Sequence, residues 1–122
     1  MTETPTIGAL LAAWIDAFNR HDLDAHMGLY REDALLFGSV DTLQVGREAI
    51  RAYFAGRGPL VRVVRYPMPQ VLMVMPGVAA TAGHVDFADG EVAMPYRMTW
   101  VLVNEDGNWR IAQHHGSPRR EI

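Results

Sequence analysis

Three glycine turns constrain this chain more than any other feature. Pro76-Gly77, Asp89-Gly90 and Asp106-Gly107 each separate β-patterned runs. Asp-Gly between such runs is a strong hairpin signal, because both residues tolerate positive φ. The turns divide the second half into Val78–Phe87, Glu91–Val103 and Asn108–His115, a meander of long strands. Ahead of it lie two more β-rich runs, Leu60–Tyr66 and Val71–Met75, with Pro67 and Pro69 between them. Proline cannot donate to a ladder, so a bulge, bend or edge is expected there.

The first half reads as helices. Thr4-Pro5 is a start signal, with a hydroxyl at the cap and proline in the first turn. Ile7, Leu10, Leu11, Trp14 and Phe18 then recur at helical spacing as one apolar stripe. Asp22 is placed to cap a second short helix running to about Tyr30, with Leu23, Met27 and Tyr30 on its inner face. Ala34–Phe37 is a short extended run ended by Gly38-Ser39. Gly46 opens a third helix, REAIRAYFAGR, closed by Gly56 and Gly58-Pro59. Helices first and strands afterwards imply an α+β domain of residues 1–122, its helices covering one face of an antiparallel sheet. The tail, SPRREI, carries no pattern and is expected to fray.

Composition removes several chemistries. The 122 residues have a formal charge of -3, without the clustered basic face of a nucleic-acid module. All eleven basic residues are arginines, so a Schiff-base lysine is excluded. Cysteine is absent, and with it disulfides, thiolate nucleophiles and cysteine metal sites. Neither serine, Ser39 or Ser117, stands in a G-x-S-x-G elbow. No His/Asp/Glu spacing matches a zinc or facial-triad motif, so no metal and no organic cofactor are expected. No apolar run approaches the ~18 residues of a membrane span, and the acidic start MTETPTIGALLAAW is unlike a signal peptide. A cytoplasmic protein without nucleic-acid or membrane partners is the expectation.

Four segments carry a resemblance: WIDAFNRHDLDAHMGLYREDALLF, VGREAIRAYFAG, RMTWV and EDGNWRIAQHHGS. Together they resemble the nuclear-transport-factor-2-like superfamily, and within it most of all the SnoaL-like proteins and the association domain of calcium/calmodulin-dependent kinase II. The last strand of those groups commonly reads W-x-I-x-x-x-H-x-S, which Trp109, Ile111, His115 and Ser117 match. The resemblance covers about Ile7 to Ser117. It implies three helices packed on a strongly curved antiparallel sheet, a cystatin-like roll forming a cone with an internal pocket. It does not imply one activity, since such folds host isomerases, cyclases, hydrolases and non-catalytic domains. Ketosteroid isomerase, the best-understood enzyme of this fold, needs a carboxylate base and two oxyanion donors, a tyrosine and a protonated Asp. Superposing the helices puts Trp14 at the tyrosine, Gly38 at the base and Arg97 at the Asp, leaving all three roles vacant.

Alternation along strands decides which side chains share a face. His84 and Asp86 lie together with Ala80 and Ala82, and Arg97 and Thr99 lie together with Val101. The superfamily register would place both sets inside the cone. There His84, Asp86 and Arg97 could serve acid/base work or grip a carboxylate-bearing ligand, or Arg97 and Asp86 could simply close the mouth as an ion pair. His114 and His115 are adjacent on a strand and should face opposite ways unless a bulge intervenes. The family pattern favours His115, whereas the isomerase register puts His114 inward. His21 and His26, around a helix boundary, read as solvent-exposed or capping.

Trp14 and Tyr53, with Tyr30 and Phe54, are expected as aromatic lining, and Trp14, Tyr53, Thr99 and His114 as ligand contacts. Tyr96, Met98, Trp100 and Leu102 would then face outward, too apolar for water, and imply a homodimer through the outer sheet face. Two functions remain open. One is a small-molecule-binding, cofactor-independent enzyme of isomerase, cyclase or hydrolase type, using His84 or a C-terminal histidine as base and Arg97 as electrostatic partner. The other is a non-catalytic ligand-binding or assembly domain.

Overall fold

The computed structural model describes residues 4–120. Three helices, α1 (Thr4–Asn19), α2 (Leu23–Met27) and α3 (Arg47–Ala55), lie against a seven-stranded sheet. Its strands are β1 (Tyr30–Phe37), β2 (Gln44–Val45), β3 (Val61–Arg65), β4 (Gln70–Met75), β5 (Val78–Asp89), β6 (Val92–Glu105) and β7 (Asn108–Pro118). The order across the sheet is β2-β1-β7-β6-β5-β3, with β4 also on β5. The three glycine turns all fall between strands, with Gly77, Gly90 and Gly107 at positive φ.

The sheet is mixed rather than antiparallel, because β1 and β7 run parallel. Seventy residues, 38–107, separate these two strands, so no turn in the sequence announces their pairing. The sheet is also not strongly curled. In place of the expected cone, a helical layer covers one face and leaves a cavity between the layers. The two prolines sit where β3 passes into β4, both of which pair with β5. Pro69 crosses at Gly83, where an added Cβ would approach the Pro69 Cβ to 2.9 Å.

The apolar stripe of α1 is buried throughout: Ile7, Leu10, Leu11, Trp14 and Phe18 all belong to the core. Each such side chain contributes ~1.5–3 kcal/mol on full burial. The capping expected of Thr4-Pro5 concerns side chains outside those described. At its other end α1 is fastened by Asn19, whose amide exchanges two hydrogen bonds with the Val63 backbone, 3.1 and 2.8 Å. Asp22 does cap α2, its Oδ1 accepting from the Ala25 N–H at 3.0 Å. That helix ends at Met27, and Tyr30 opens β1 instead. The tail is ordered further than expected, since β7 reaches Pro118 and Arg119 donates to the Tyr96 carbonyl and to Asp86.

The face assignment of β6 is reversed. Met98, Trp100 and Leu102 are 2%, 2% and 0% exposed and point into the core. Arg97 and Thr99 lie on the solvent face. A one-residue difference in register flips every side chain of a strand, and the bulky apolar set takes the side that the helices cover.

Candidate functional site

A cavity of about 340 Å³ lies between the sheet and the helices, within the range of small-molecule sites. Trp14 and Phe18 of α1, Tyr53 and Phe54 of α3, and Met94, Tyr96 and Met98 of β6 form most of its wall. The loop after α3 contributes Gly56-Arg57-Gly58, β7 contributes His114 and Gly116, and Gly38-Ser39 closes the end of β1. Among the described residues, no Asp or Glu lines it.

His114 is turned inward by a local irregularity. Trp109 and Ile111 are buried, so strict alternation from them would bring Gln113 and His115 inside. The register with β6 shifts between Val101 and Leu102, opposite Ala112. This β-bulge inserts one residue and reverses the parity. His114 and Gly116 therefore face the cavity, and His115 faces solvent beside Phe37.

A buried hydrogen-bond chain then fixes what His114 can do. The Trp14 indole donates to the Tyr30 hydroxyl at 3.0 Å, and that hydroxyl stands 2.8 Å from His114 Nδ1. Indole nitrogen is only ever a donor. The Tyr30 oxygen thus accepts from Trp14, and because Nδ1 is the one acceptor within reach of its buried hydroxyl among the described residues, its proton goes to Nδ1. A neutral imidazole accepting at Nδ1 carries its proton on Nε2, so His114 offers the cavity an N–H donor. Burial, reinforced by the neighbouring His26 and His115, lowers the His114 pKa to about 3. The ring is therefore neutral at pH 7. Burial likewise raises the Tyr30 pKa and keeps its phenol protonated.

His26 is the residue most misjudged from sequence. It is 1% exposed, packed among the rings of Trp14, Phe18, Tyr30 and Phe54, and both its ring nitrogens lack a partner. Burial, with the charge of Arg57, lowers its pKa to about 3. Its helical spacing gave no hint, because α2 is one short turn whose inner face depends on where β1 begins.

The other expected site residues divide cleanly. Trp14 and Tyr53 line the cavity, and the Tyr53 hydroxyl accepts the Ser39 N–H at 2.8 Å. Thr99 does not, being on the outer face. His84 and Arg97 are cross-strand neighbours there, both exposed. Asp86 is half-buried, but its partner is Arg119 at 2.9 Å rather than Arg97. Arg97 instead donates to Ser117 Oγ at 3.1 Å. The expected His84–Asp86–Arg97 constellation therefore does not enter the cavity, because it sits on the even parity of β5 and the odd parity of β6. Gly38 is on the wall, where any Cβ would collide with the Tyr53 ring. A carboxylate base has no room at that position. Among the described residues, no three His, Asp or Glu side chains gather as metal ligands.

The sequence pattern of the SnoaL-like domain matches residues 7–121. The chain belongs to the SnoaL-like family. No curated protein matches it. Among solved structures, a ketosteroid isomerase-like protein from Erwinia carotovora atroseptica SCRI1043 superposes with a TM-score of 0.84 at 20% identity, covering 98% of each chain. A candidate calcium/calmodulin-dependent protein kinase II association domain from Xanthomonas campestris gives 0.81 at 26% identity, covering 95% of this chain and 87% of that one. An NTF-2-like protein of unknown function from Shewanella oneidensis MR-1 gives 0.80 at 22% identity, covering 95% and 99%. Within this SnoaL-like fold, Arg57 and His26 are the residues that sequence reasoning missed. Arg57 had a signal, a lone cation between two glycines just beyond a helix end.

Proposed function

We propose that this SnoaL-like protein binds a compact, largely apolar small molecule, with an oxygen of that molecule held by the Nε2–H of His114. The carrying observation is the Trp14–Tyr30–His114 chain, which presents a neutral donor to an apolar cavity with no water-exposed competitor on its other nitrogen. Buried chains of this kind are rigid, so the donor needs no reorganisation when the ligand arrives. The test is ligand binding by native protein and by His114→Phe, measured by thermal shift and calorimetry. Ligands recovered with the native protein should lose about tenfold in affinity, ~1.4 kcal/mol, in the variant. Equal affinity would remove His114 from the site.

One observation favours a second, catalytic reading. A neutral histidine donor in a dry site is also suited to stabilising a developing oxyanion in cofactor-independent isomerase or cyclase chemistry. Such a reaction needs a base as well. His114 cannot supply one, since Nδ1 is occupied and Nε2 is protonated, and no carboxylate lines the cavity. Binding without proton abstraction is therefore the better reading, and a ketosteroid offered to the protein should not be isomerised.

Assembly is proposed alongside this. The homodimer is retained through the outer sheet face, but on other residues than Tyr96, Met98, Trp100 and Leu102. Two cross-strand rows lie there, Leu35-Gln113-Val101-Ala80-Leu72 and Phe37-His115-Thr99-Ala82-Gln70. Leu35 and Phe37 are each 38% exposed and Leu72 is 65% exposed, an apolar patch on which a second copy would fit.

A further inference from the structure

Among the described residues, the cavity wall contains one cation, Arg57, and nothing of opposite charge. Its guanidinium lies 4.1 Å over the Phe18 ring. One terminal nitrogen donates to the Phe18 carbonyl at 2.6 Å and the other to the Phe54 carbonyl at 3.4 Å. Those carbonyls belong to the last turns of α1 and α3, whose dipoles favour a cation. The bonds hold the group in place but consume only part of its fork of five N–H donors. Four other arginines, Arg20, Arg31, Arg51 and Arg119, each form an ion pair, all of them outside the cavity wall. Arg57 is half-buried and has no carboxylate at ion-pair distance among the described residues.

The remaining polar side chains on the wall, Ser39, Tyr53, Tyr96 and His114, carry no negative charge. His114 presents N–H, and the Tyr53 hydroxyl accepts the Ser39 N–H while sharing a second hydrogen bond with the Ser39 hydroxyl, in which either oxygen can donate. A half-buried positive charge that shares its wall with no carboxylate among the described residues is complemented by an acceptor that is itself charged. Resting on the cavity reading above, we infer that the ligand class is small organic anions, an aromatic or alicyclic body carrying one carboxylate or phenolate-like group, with the charge taken by Arg57. Here Arg57 takes the role that the strand pattern assigned to Arg97. The body of the ligand then lies on Trp14, Phe18 and Met98. Gly56 and Gly58 flank the anchor without side chains that would cover it.

The test uses matched pairs, 2-naphthoate against 2-naphthamide and phenylacetate against phenylacetamide, titrated into the native protein and into Arg57→Gln and Arg57→Lys. The acids should bind at least tenfold tighter than the amides to native protein. Arg57→Gln should bring the acid-to-amide ratio down to about one, and Arg57→Lys should keep part of the preference. If Arg57→Gln fails to fold, the native acid-to-amide ratio carries the test together with Arg57→Lys, and the ratio must fall between 50 mM and 500 mM salt. Amides binding as tightly as acids, or a preference that survives Arg57→Gln, overturns the inference. If those amides still lose affinity in His114→Phe, the cavity reading stands and only the charge assignment falls. If neither acids nor amides bind at millimolar concentration, both fail together.

Discussion

His26 and His114 couple the stability of this protein to pH chiefly through burial. Both have folded-state pKa values near 3, below the ordinary 6.5, because their charged forms would be desolvated. At pH 7 they are neutral whether folded or unfolded, and the full stability is present. As pH falls below 6.5 the unfolded chain takes up protons that the folded one refuses, so stability is lost down to about pH 3. Each histidine costs about 1.4 kcal/mol per pH unit in the steep part of that window. Urea unfolding between pH 6 and 5 should therefore lose about 2–3 kcal/mol in the native protein and about half of that in His26→Phe. A flat profile, or an unchanged slope in the variant, would contradict this burial. His26 was not legible as buried, and for His114 the sequence left two registers open, the isomerase one turning it inward and the family pattern favouring His115. The inward turn of His114 depends on a one-residue bulge at Ala112, and the family pattern Trp109-x-Ile111 points by simple alternation to His115 instead. Bulges leave no mark in composition, so this parity was beyond the sequence. Trp14 and Tyr53 were legible because large aromatic residues on helical stripes have one covered face available.

At the level of elements, the reversal of β6 was avoidable. Met94, Tyr96, Met98, Trp100 and Leu102 alternate with Pro95, Arg97, Thr99 and Val101, and the bulky apolar set belongs under the helices. A register borrowed from the superfamily overrode that plain amphipathic signal, carrying His84, Asp86, Arg97 and Thr99 to the wrong side. The hairpins themselves were readable from their glycines, and the proline-marked break between β3 and β4 from its missing donors. The contact between the end of β1 and α3 was not, though it shapes the cavity. Gly38 leaves space that the Tyr53 ring fills. Gly38→Ala should push that ring away, break its bond to the Ser39 N–H, and cost about 1–3 kcal/mol. In a Tyr53→Ala background the same substitution should cost no more than about 0.5 kcal/mol, since the coupling between neighbours has gone. Thermal or urea unfolding of the four proteins completes the cycle, and equal costs in both backgrounds would refute the contact.

At the scale of the whole molecule, the helices cover one face of the sheet and leave the other open. The chain pattern predicted that layering, whereas the parallel β1–β7 pair came from a long-range return that local signals do not encode. The consequence for assembly separates two substitutions that the sequence alone would confuse. Trp100 is 2% exposed and touches Trp14 and Tyr66. Trp100→Asp would remove a buried indole at ~3–5 kcal/mol and bury a carboxylate as well. That sum rivals the ~5–15 kcal/mol stability of a typical domain, so this variant should unfold rather than dissociate. Phe37→Asp is the informative change. Phe37 stands on the open face against His115, and a charge there is free to hydrate in a monomer but not between two copies. Sedimentation equilibrium should show the native protein as a dimer at micromolar concentration and Phe37→Asp as a folded monomer, its far-ultraviolet circular dichroism unchanged. A native protein that sediments as a monomer at 100 µM, or a Phe37→Asp dimer as tight as the native one, would place the assembly surface elsewhere.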